Sequence, residues 1–324
     1  HKTDGVVQLV RHPSHQPPET RMTLLSRLAA SAIKTGLRAT FKLPGTLPLP
    51  LSLLRRGMAQ GRHGLRIRRE AGISSDSTGG VPGLLITPPG PASAVVLHLH
   101  GGAFFAGSPE THRGLGGELA VRAQAAVHLP DYRLAPENPW PAAPDDALAV
   151  YQGLLAAGHA AARIVVSGDS CGANLALGLA LRLRELGLPQ PAGLVLLSPF
   201  VDLTLGNPSV TNLAERDPML TAHVLRRGGD AWRGPLAADD PRVSPAFADL
   251  AGLPPLLIQV GSEEILLDDA LRLAERVRAA GVTVDCQVHA GLWHDFQLFA
   301  PLLPEAGQAL AAIATFIRQR TGTA

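Results

Sequence analysis

Short apolar runs recur through the last three-quarters of the chain, each separated from the next by a segment long enough for a helix. They are AVVLHLH (94–100), AAVHL (125–129), RIVVS (163–167), GLVLLS (193–198), PLLIQV (255–260) and VTVDCQV (282–288). Runs so short, apolar at consecutive positions, leave no polar face for water, as expected of strands buried on both sides of a parallel sheet. Helices between them imply right-handed crossovers. The pattern predicts a doubly wound α/β fold: a mostly parallel central sheet flanked by helices on both faces.

Two regions break the alternation. Residues 21–40, RMTLLSRLAASAIKTGLRAT, have helical apolar spacing and run into a proline-broken stretch, LPGTLPLPLSLL, which must bend. Residues 200–250 are too long for a simple connection between strands. The expected organisation is therefore a core domain over 61–324 with 203–240 inserted into it, residues 1–60 joining that insert as a helical cap. Such a cap would lie over the carboxyl edge of the sheet, where ligands bind in folds of this kind. The opening HKTDGVVQLVRHPSHQPP reads as a processing or expression remnant with no part in the fold. No internal repeat is visible.

With 324 residues, 46% hydrophobic and 17% charged, the chain has the composition of an ordinary globular protein able to bury a large core. Its formal net charge is only +2, but residues 1–70 hold 13 Lys+Arg against 3 Asp+Glu, a net of +10, which leaves −8 for the remainder. A solvated face on amphipathic helices is the favoured reading of that basic excess, and a membrane-surface or acidic-partner role the lesser one. Aromatic residues are 4% of the chain and do not interleave with the basic ones, which excludes nucleic acid as a partner. Cys171 and Cys286 lie far apart with no ligand-type spacing, so neither a disulfide framework nor a metal site is expected. With no apolar span of eighteen residues and no leader pattern, the chain reads as cytoplasmic.

The chemistry centres on VVSGDSCGANLALGLAL (165–181). A strand precedes Gly168-Asp169-Ser170-Cys171-Gly172 and a helix follows, so G-x-S-x-G sits in a strand-to-helix turn. Such an elbow strains its central residue and crowds the residues two before and two after it, which must be nearly free of side chains. Around Ser170 these are Gly168 and Gly172. Around Cys171 they would be Asp169 and Ala173, and the aspartate does not fit. Ser170 is the candidate nucleophile, and it requires a base and an orienting acid. Upstream, HLHGGAFFAG (98–107) follows a strand directly; the N–H groups of Gly101 and Gly102, with that of Cys171, are candidate donors to a developing oxyanion.

Of the histidines after Ser170, only His294, in GLWHDF, falls in a loop past the last predicted strand and before the final helix. It is the candidate base, and His289, near the strand's end, reads as packing. The acid should leave the end of the preceding strand, where GSEEILLDDA offers Glu263, Glu264, Asp268 and Asp269. The aspartates begin a helix, where acidic first-turn residues are usual. Two glutamates remain.

The stretches HGGAF, DYRLAPENPWPAAPDDALAVY, GDSCGAN, SPFVDLT, DPMLT, GSEEILLDDA and WHDFQLFAPLLPEA, taken in this order, resemble the bacterial esterase branch of the hormone-sensitive lipase family of α/β-hydrolases. The resemblance covers about residues 65–320 and implies the α/β-hydrolase fold, a mostly parallel central sheet of about eight strands flanked by helices, with a helical cap. It implies that the acid stands three residues after the glycine ending its strand and four before a second acidic residue, which selects Glu264, four before Asp268. The family's elbow usually reads G-D-S-A-G-G, whereas Cys171 and Ala173 stand here for its alanine and following glycine, and Ala103 for the third glycine after the histidine.

The expected activity is hydrolysis of short- to medium-chain acyl esters through Ser170, His294 and Glu264, with an acyl-enzyme and no cofactor. Phe104, Leu205, Leu220 and Trp232 are the expected apolar substrate contacts. The partners expected are a small ester and, as an open option, a second copy of the chain. An amidase or lactonase would use the same groups. Plant gibberellin receptors, which resemble this family, bind without catalysis, but they lack the histidine that this chain has at His294.

Overall fold

The computed structural model describes residues 24–59 and 68–323; the opening segment read as a remnant lies outside the described residues. Eight strands form one sheet: β1 (Gly72–Asp76), β2 (Gly83–Thr87), β3 (Ala94–Leu99), β4 (Ala125–Pro130), β5 (Ile164–Asp169), β6 (Gly193–Leu197), β7 (Leu256–Gly261) and β8 (Val284–His289). Their order is β1-β2-β4-β3-β5-β6-β7-β8, antiparallel at the β1–β2 and β2–β4 pairings and parallel elsewhere. The six predicted strands stand where the apolar runs placed them. The pattern did not locate β1 and β2 at the sheet's margin, both short, GISSD exposed and GLLIT half-buried.

Helices α1 (Leu24–Leu37), α2 (Leu43–Thr46) and α3 (Leu51–Ala59) come first, with a single π-helical stretch, Arg38–Lys42, between α1 and α2. Helices α4 (Pro109–Ala123), α5 (Ala142–Ala156), α6 (Cys171–Glu185), α7 (Pro208–Asn212), α8 (Ala222–Arg233), α9 (Leu267–Ala279) and α10 (Pro304–Thr321) complete the set among the described residues. The proline-broken stretch bends as its sequence requires: after α2 the chain turns at Pro50, whose carbonyl accepts from Leu53 and Leu54 as α3 begins.

Alternate residues of the central strands feed two cores. Val95, Leu97, Val166, Leu194 and Ile258 pack with α5, α6 and α9, whereas Val96, Val127, Val165, Val195 and Leu257 pack against Leu115 and Leu119 of α4 and Leu310, Ile313 and Ile317 of α10. Burial on both faces removes apolar area from water at about 25 cal/mol per Å², which is why these strands can be almost wholly apolar. In register, Leu99 pairs with Gly168, Asp169 with Leu197, and Gly261 with His289. The parallel strands therefore end in a line, and the segments that leave them emerge along one edge of the sheet. Above that edge, α1 packs through Ala30 and Leu37 on Trp293, Phe296 and Leu303, and Gly45 of α2 abuts Thr221 and Val224 at the start of α8.

Candidate active site

β5 ends at Asp169, α6 starts at Cys171, and Ser170 between them has φ 53° and ψ −119°. This is a costly conformation for a residue with a side chain, and it persists because neighbours over-determine it. The Ser170 N–H donates to Leu197 O at 2.8 Å, and its carbonyl accepts from Phe200 N at 3.1 Å. A Cβ on Gly168 would strike the Gly172 carbonyl, and one on Gly172 would strike the Leu99 and His100 carbonyls. The crowding expected of the GDSCG register is therefore present around Ser170, whose Oγ has no hydrogen-bond partner among the described residues.

His294 lies in the loop after β8, and its Nδ1 is 2.7 Å from Glu264 Oε2. Glu264 is completely buried, and its Oε1 accepts from Gly261 N at 2.8 Å and Ser198 Oγ at 2.9 Å, which locks the carboxylate in place. Glu263 faces the other way and pairs with Lys34 at 2.6 Å and Arg216 at 3.0 Å. Asp268 Oδ2 accepts from Ser209 N at 2.7 Å, and Asp269 Oδ2 accepts from Val201 N and Asp202 N, both at 3.1 Å. These two aspartates fasten the chain leaving β6 instead of meeting a histidine. His289 packs its ring on Phe296, and burial lowers its pKa to about 4.

The glycine turn departs from expectation by one residue. Gly101 gives its N–H to Asp169 Oδ2 at 3.0 Å, so it has none left for a ligand. The N–H groups of Gly102, Ala103 and Cys171 have no acceptor among the described residues. They are the donors this turn can offer, and Gly101 drops out in favour of Ala103. Asp169 is held in turn by His98 Nε2 on Oδ1 at 3.0 Å and His112 Nε2 on Oδ2 at 3.1 Å. Burial opposes its charge, but the two imidazoles outweigh burial and keep the carboxyl well below its usual range. Asp169 entered the sequence reading only as a residue too large for a flank.

A cavity of about 680 Å³ opens above Ser170 and His294. Its walls are largely apolar, with Leu37, Phe41 and Leu54 from the N-terminal helices and Leu220, Val224 and Leu225 from the insert. Of the four expected substrate contacts, Leu220 alone lines it. Phe104 and Trp232 are buried against each other, ring centroids 3.9 Å apart with planes within 1°, and Leu205 is buried in the core behind them. Stacked aromatic pairs gain about 0.5–1.5 kcal/mol beyond the area they bury, and this pair stacks away from the cavity. Among the described residues, no group of three or more His, Cys, Asp or Glu side chains could hold a metal ion, and no helix is long and apolar enough to cross a membrane.

Residues 96–298 match the family described as alpha/beta hydrolase fold. The chain is 44% identical over 281 residues to an esterase of Acinetobacter venetianus, covering 86% of this chain and 93% of that one. It is 43% identical over 230 residues to an acetyl-hydrolase of Streptomyces hygroscopicus, covering 70% and 76%. A crystal structure of an esterase from the bacterial hormone-sensitive lipase family superposes with a TM-score of 0.87 at 37% identity, over 91% of this chain and 98% of that one. The chain belongs to that family. This lipase-family member is a serine carboxylic ester hydrolase, similar also to EstE5, whose crystals were soaked with p-nitrophenyl butyrate (35% identity, TM-score 0.85, 91% and 99% covered).

Two side chains give this family member local features that its motifs did not announce. Cys171 Sγ accepts the Phe104 N–H at 3.2 Å, and burial pushes its thiol up to about 12, so it is a neutral hydrogen-bonding group and no nucleophile. Asp295, left-handed at φ 52°, sets Oδ2 3.0 Å from His294 Nε2, while its buried Oδ1 has no partner among the described residues. Burial works against an imidazolium here, but the Asp295 and Glu264 carboxylates outweigh it and raise His294 well above its ordinary pKa. Burial and the nearby Asp169 push Asp295 itself up to about 7, against the pull of His294. Nothing in WHDF distinguishes this aspartate from a solvated loop residue, so only tertiary structure could identify it.

Proposed function

We propose that the chain hydrolyses short- to medium-chain acyl esters with Ser170 as nucleophile, His294 as general base and acid, and Glu264 as the orienting acid. The observation that carries this reading is the 2.7 Å contact between His294 Nδ1 and a Glu264 carboxylate that Gly261 and Ser198 hold, beside a serine whose Oγ is free at the cavity floor. His294 Nε2 takes the Ser170 proton as Oγ attacks the ester carbonyl. The oxyanion is received by the N–H groups of Gly102, Ala103 and Cys171, each worth about 3 kcal/mol in comparable sites. Collapse expels the alcohol, which His294 protonates, and water then releases the acid by the same steps in reverse roles.

Because Asp295 engages Nε2 before substrate arrives, the imidazole must lose its proton and turn from Asp295 towards Ser170. A rise of activity with pH follows. The cavity's volume and its enclosure by the N-terminal helices and the insert favour a dissolved ester of modest size over a long acyl chain, in keeping with the p-nitrophenyl butyrate used on the similar EstE5. p-Nitrophenyl esters of rising acyl length test this: kcat/KM should be greatest for short acyl groups and fall for long ones. Faster hydrolysis of emulsified long-chain triglycerides than of dissolved short esters would overturn it.

A further inference from the structure

The described N-terminal segment 24–59 contains six basic residues, Arg27, Lys34, Arg38, Lys42, Arg55 and Arg56, and no Asp or Glu. The same stretch is unusually apolar on its outside. Of the eleven exposed large hydrophobic residues among those described, six fall here: Leu24, Leu25, Leu28, Leu43, Leu47 and Leu53. On α1 the buried residues Ser26, Ala30 and Leu37 recur at helical spacing and mark the inner face. Leu24, Leu28 and Ala32, with Leu25, recur at the same spacing on the opposite face and are exposed, Leu24 and Leu25 at 74% and 79%. A helix with one apolar face seated on protein and a second turned to water is unusual in a monomeric soluble domain.

Further exposed leucines stand at the cavity itself. Leu53 and Leu302 line the cavity yet are 49% and 56% exposed, so they stand at its opening, with Leu43 and Leu47 on the chain between α1 and α3. Arg27 and Arg56 are exposed beside these leucines and carry no ion pair among the described residues, whereas Lys34 and Arg55 are held by Glu263 and Glu137. Exposed leucines interleaved with cations and devoid of acids complement one kind of surface: apolar chains beneath a layer of negative headgroups.

We propose that the outer face of α1, together with the leucines at the cavity opening, docks on an anionic phospholipid surface and presents the cavity opening towards it. The docking is independent of the ester-hydrolysis reading, and its readout is binding. Leucine side chains would enter the boundary between headgroups and acyl chains, while Arg27 and Arg56 meet lipid phosphates. The electrostatic part must weaken with salt as the Debye length shortens.

Co-sedimentation of the full chain with phosphatidylcholine vesicles, with and without one-third phosphatidylglycerol, tests the inference. Wild type should pellet with the anionic vesicles at low salt, at least fivefold less with phosphatidylcholine alone, and progressively less as salt rises. The triple variant Leu24→Ser/Leu25→Ser/Leu28→Ser and the pair Arg27→Gln/Arg56→Gln should each lose most of that binding. Both should keep the parent's rate on dissolved p-nitrophenyl butyrate, which certifies the fold. The pair Leu186→Ser/Leu271→Ser, exposed elsewhere, should bind as wild type does. Failure of wild type to pellet with anionic vesicles overturns the inference, as does undiminished binding by the leucine variant. A wild-type dimer that this variant dissociates, with no lipid binding, overturns it in favour of a second copy on the face.

Discussion

The two walls of the cavity are built on different terms. On the sheet side almost every polar side chain is buried and held by named partners: Asp169 by His98, His112 and the Gly101 N–H, Glu264 by Ser198, Gly261 and His294. On the cap side the cavity meets the apolar side chains of Leu37, Phe41, Leu54 and Leu220. Hydrogen bonds are directional and costly to leave unmade in a dry site, whereas apolar contact is non-directional and degrades gradually. Substitutions on the sheet wall should therefore change whether the chemistry occurs, and substitutions on the cap wall which ester it serves.

The largest expected effect is Ser170→Ala, which should lower kcat by about 10⁶, the size seen when a triad nucleophile is removed, with an unchanged melting temperature. Turnover within tenfold of the parent would end its role as nucleophile. Next comes the comparison of adjacent glutamates. Glu264→Gln removes the charge that orients His294 and stabilises its imidazolium, at a cost on the order of 10⁴ in turnover. Glu263→Gln breaks only partly exposed pairs with Lys34 and Arg216, and kcat/KM should stay within roughly tenfold. The reverse order would transfer the role to Glu263.

How much of this was legible follows from the same division. Five of the six predicted strands announce themselves because they are buried on both faces, β8, half-exposed at the sheet's far margin, shows through its alternating Val284, Cys286 and Val288, and Ser170 announces itself because only glycines can flank it. β1 and β2 do not, since GISSD is exposed and neither is longer than five residues. The donors proposed for the oxyanion are displaced by one residue because no local pattern reveals that Asp169 takes the Gly101 N–H. The pocket was the least readable part. Large apolar residues are equally at home in a core, and Phe104 and Trp232 chose each other.

Asp295 sharpens the sheet-side half of the comparison because it faces His294 from within that network. Its carboxylate stabilises the protonated imidazole, which cannot act as a base, so its removal should lower the pKa of His294. The acid limb of the kcat/KM profile of Asp295→Asn should move to lower pH by roughly one unit, each unit being 1.36 kcal/mol of differential interaction, with the plateau changed little. An unmoved limb, or one displaced upward, would mean that Asp295 does not govern the base.

On the cap wall, Leu220→Ala should raise KM for longer acyl groups by about tenfold while leaving kcat for the acetate ester near the parent, since a few methylenes of contact are worth ~1–3 kcal/mol. A uniform fall in kcat for every acyl length would show that the two walls are not separable at this position.

The smallest expected effect tests where the sheet wall stops. Cys171 contributes its backbone N–H to the site whatever its side chain, so Cys171→Ala should keep most of the activity. Yet its Sγ also accepts the Phe104 N–H at 3.2 Å, inside the turn that presents Gly102 and Ala103. Alanine leaves that buried N–H unpaired, and a sulfur acceptor is weak, so the cost should be at the low end of the ~1–3 kcal/mol for an unsatisfied buried group. Much of that cost falls on folded-state stability, leaving a loss of about two- to fivefold in kcat. Cys171→Ser, which restores an acceptor, should recover part of both. If alanine and serine behave alike in rate and melting temperature, the thiol is only filling space and the directional wall ends at the Cys171 backbone.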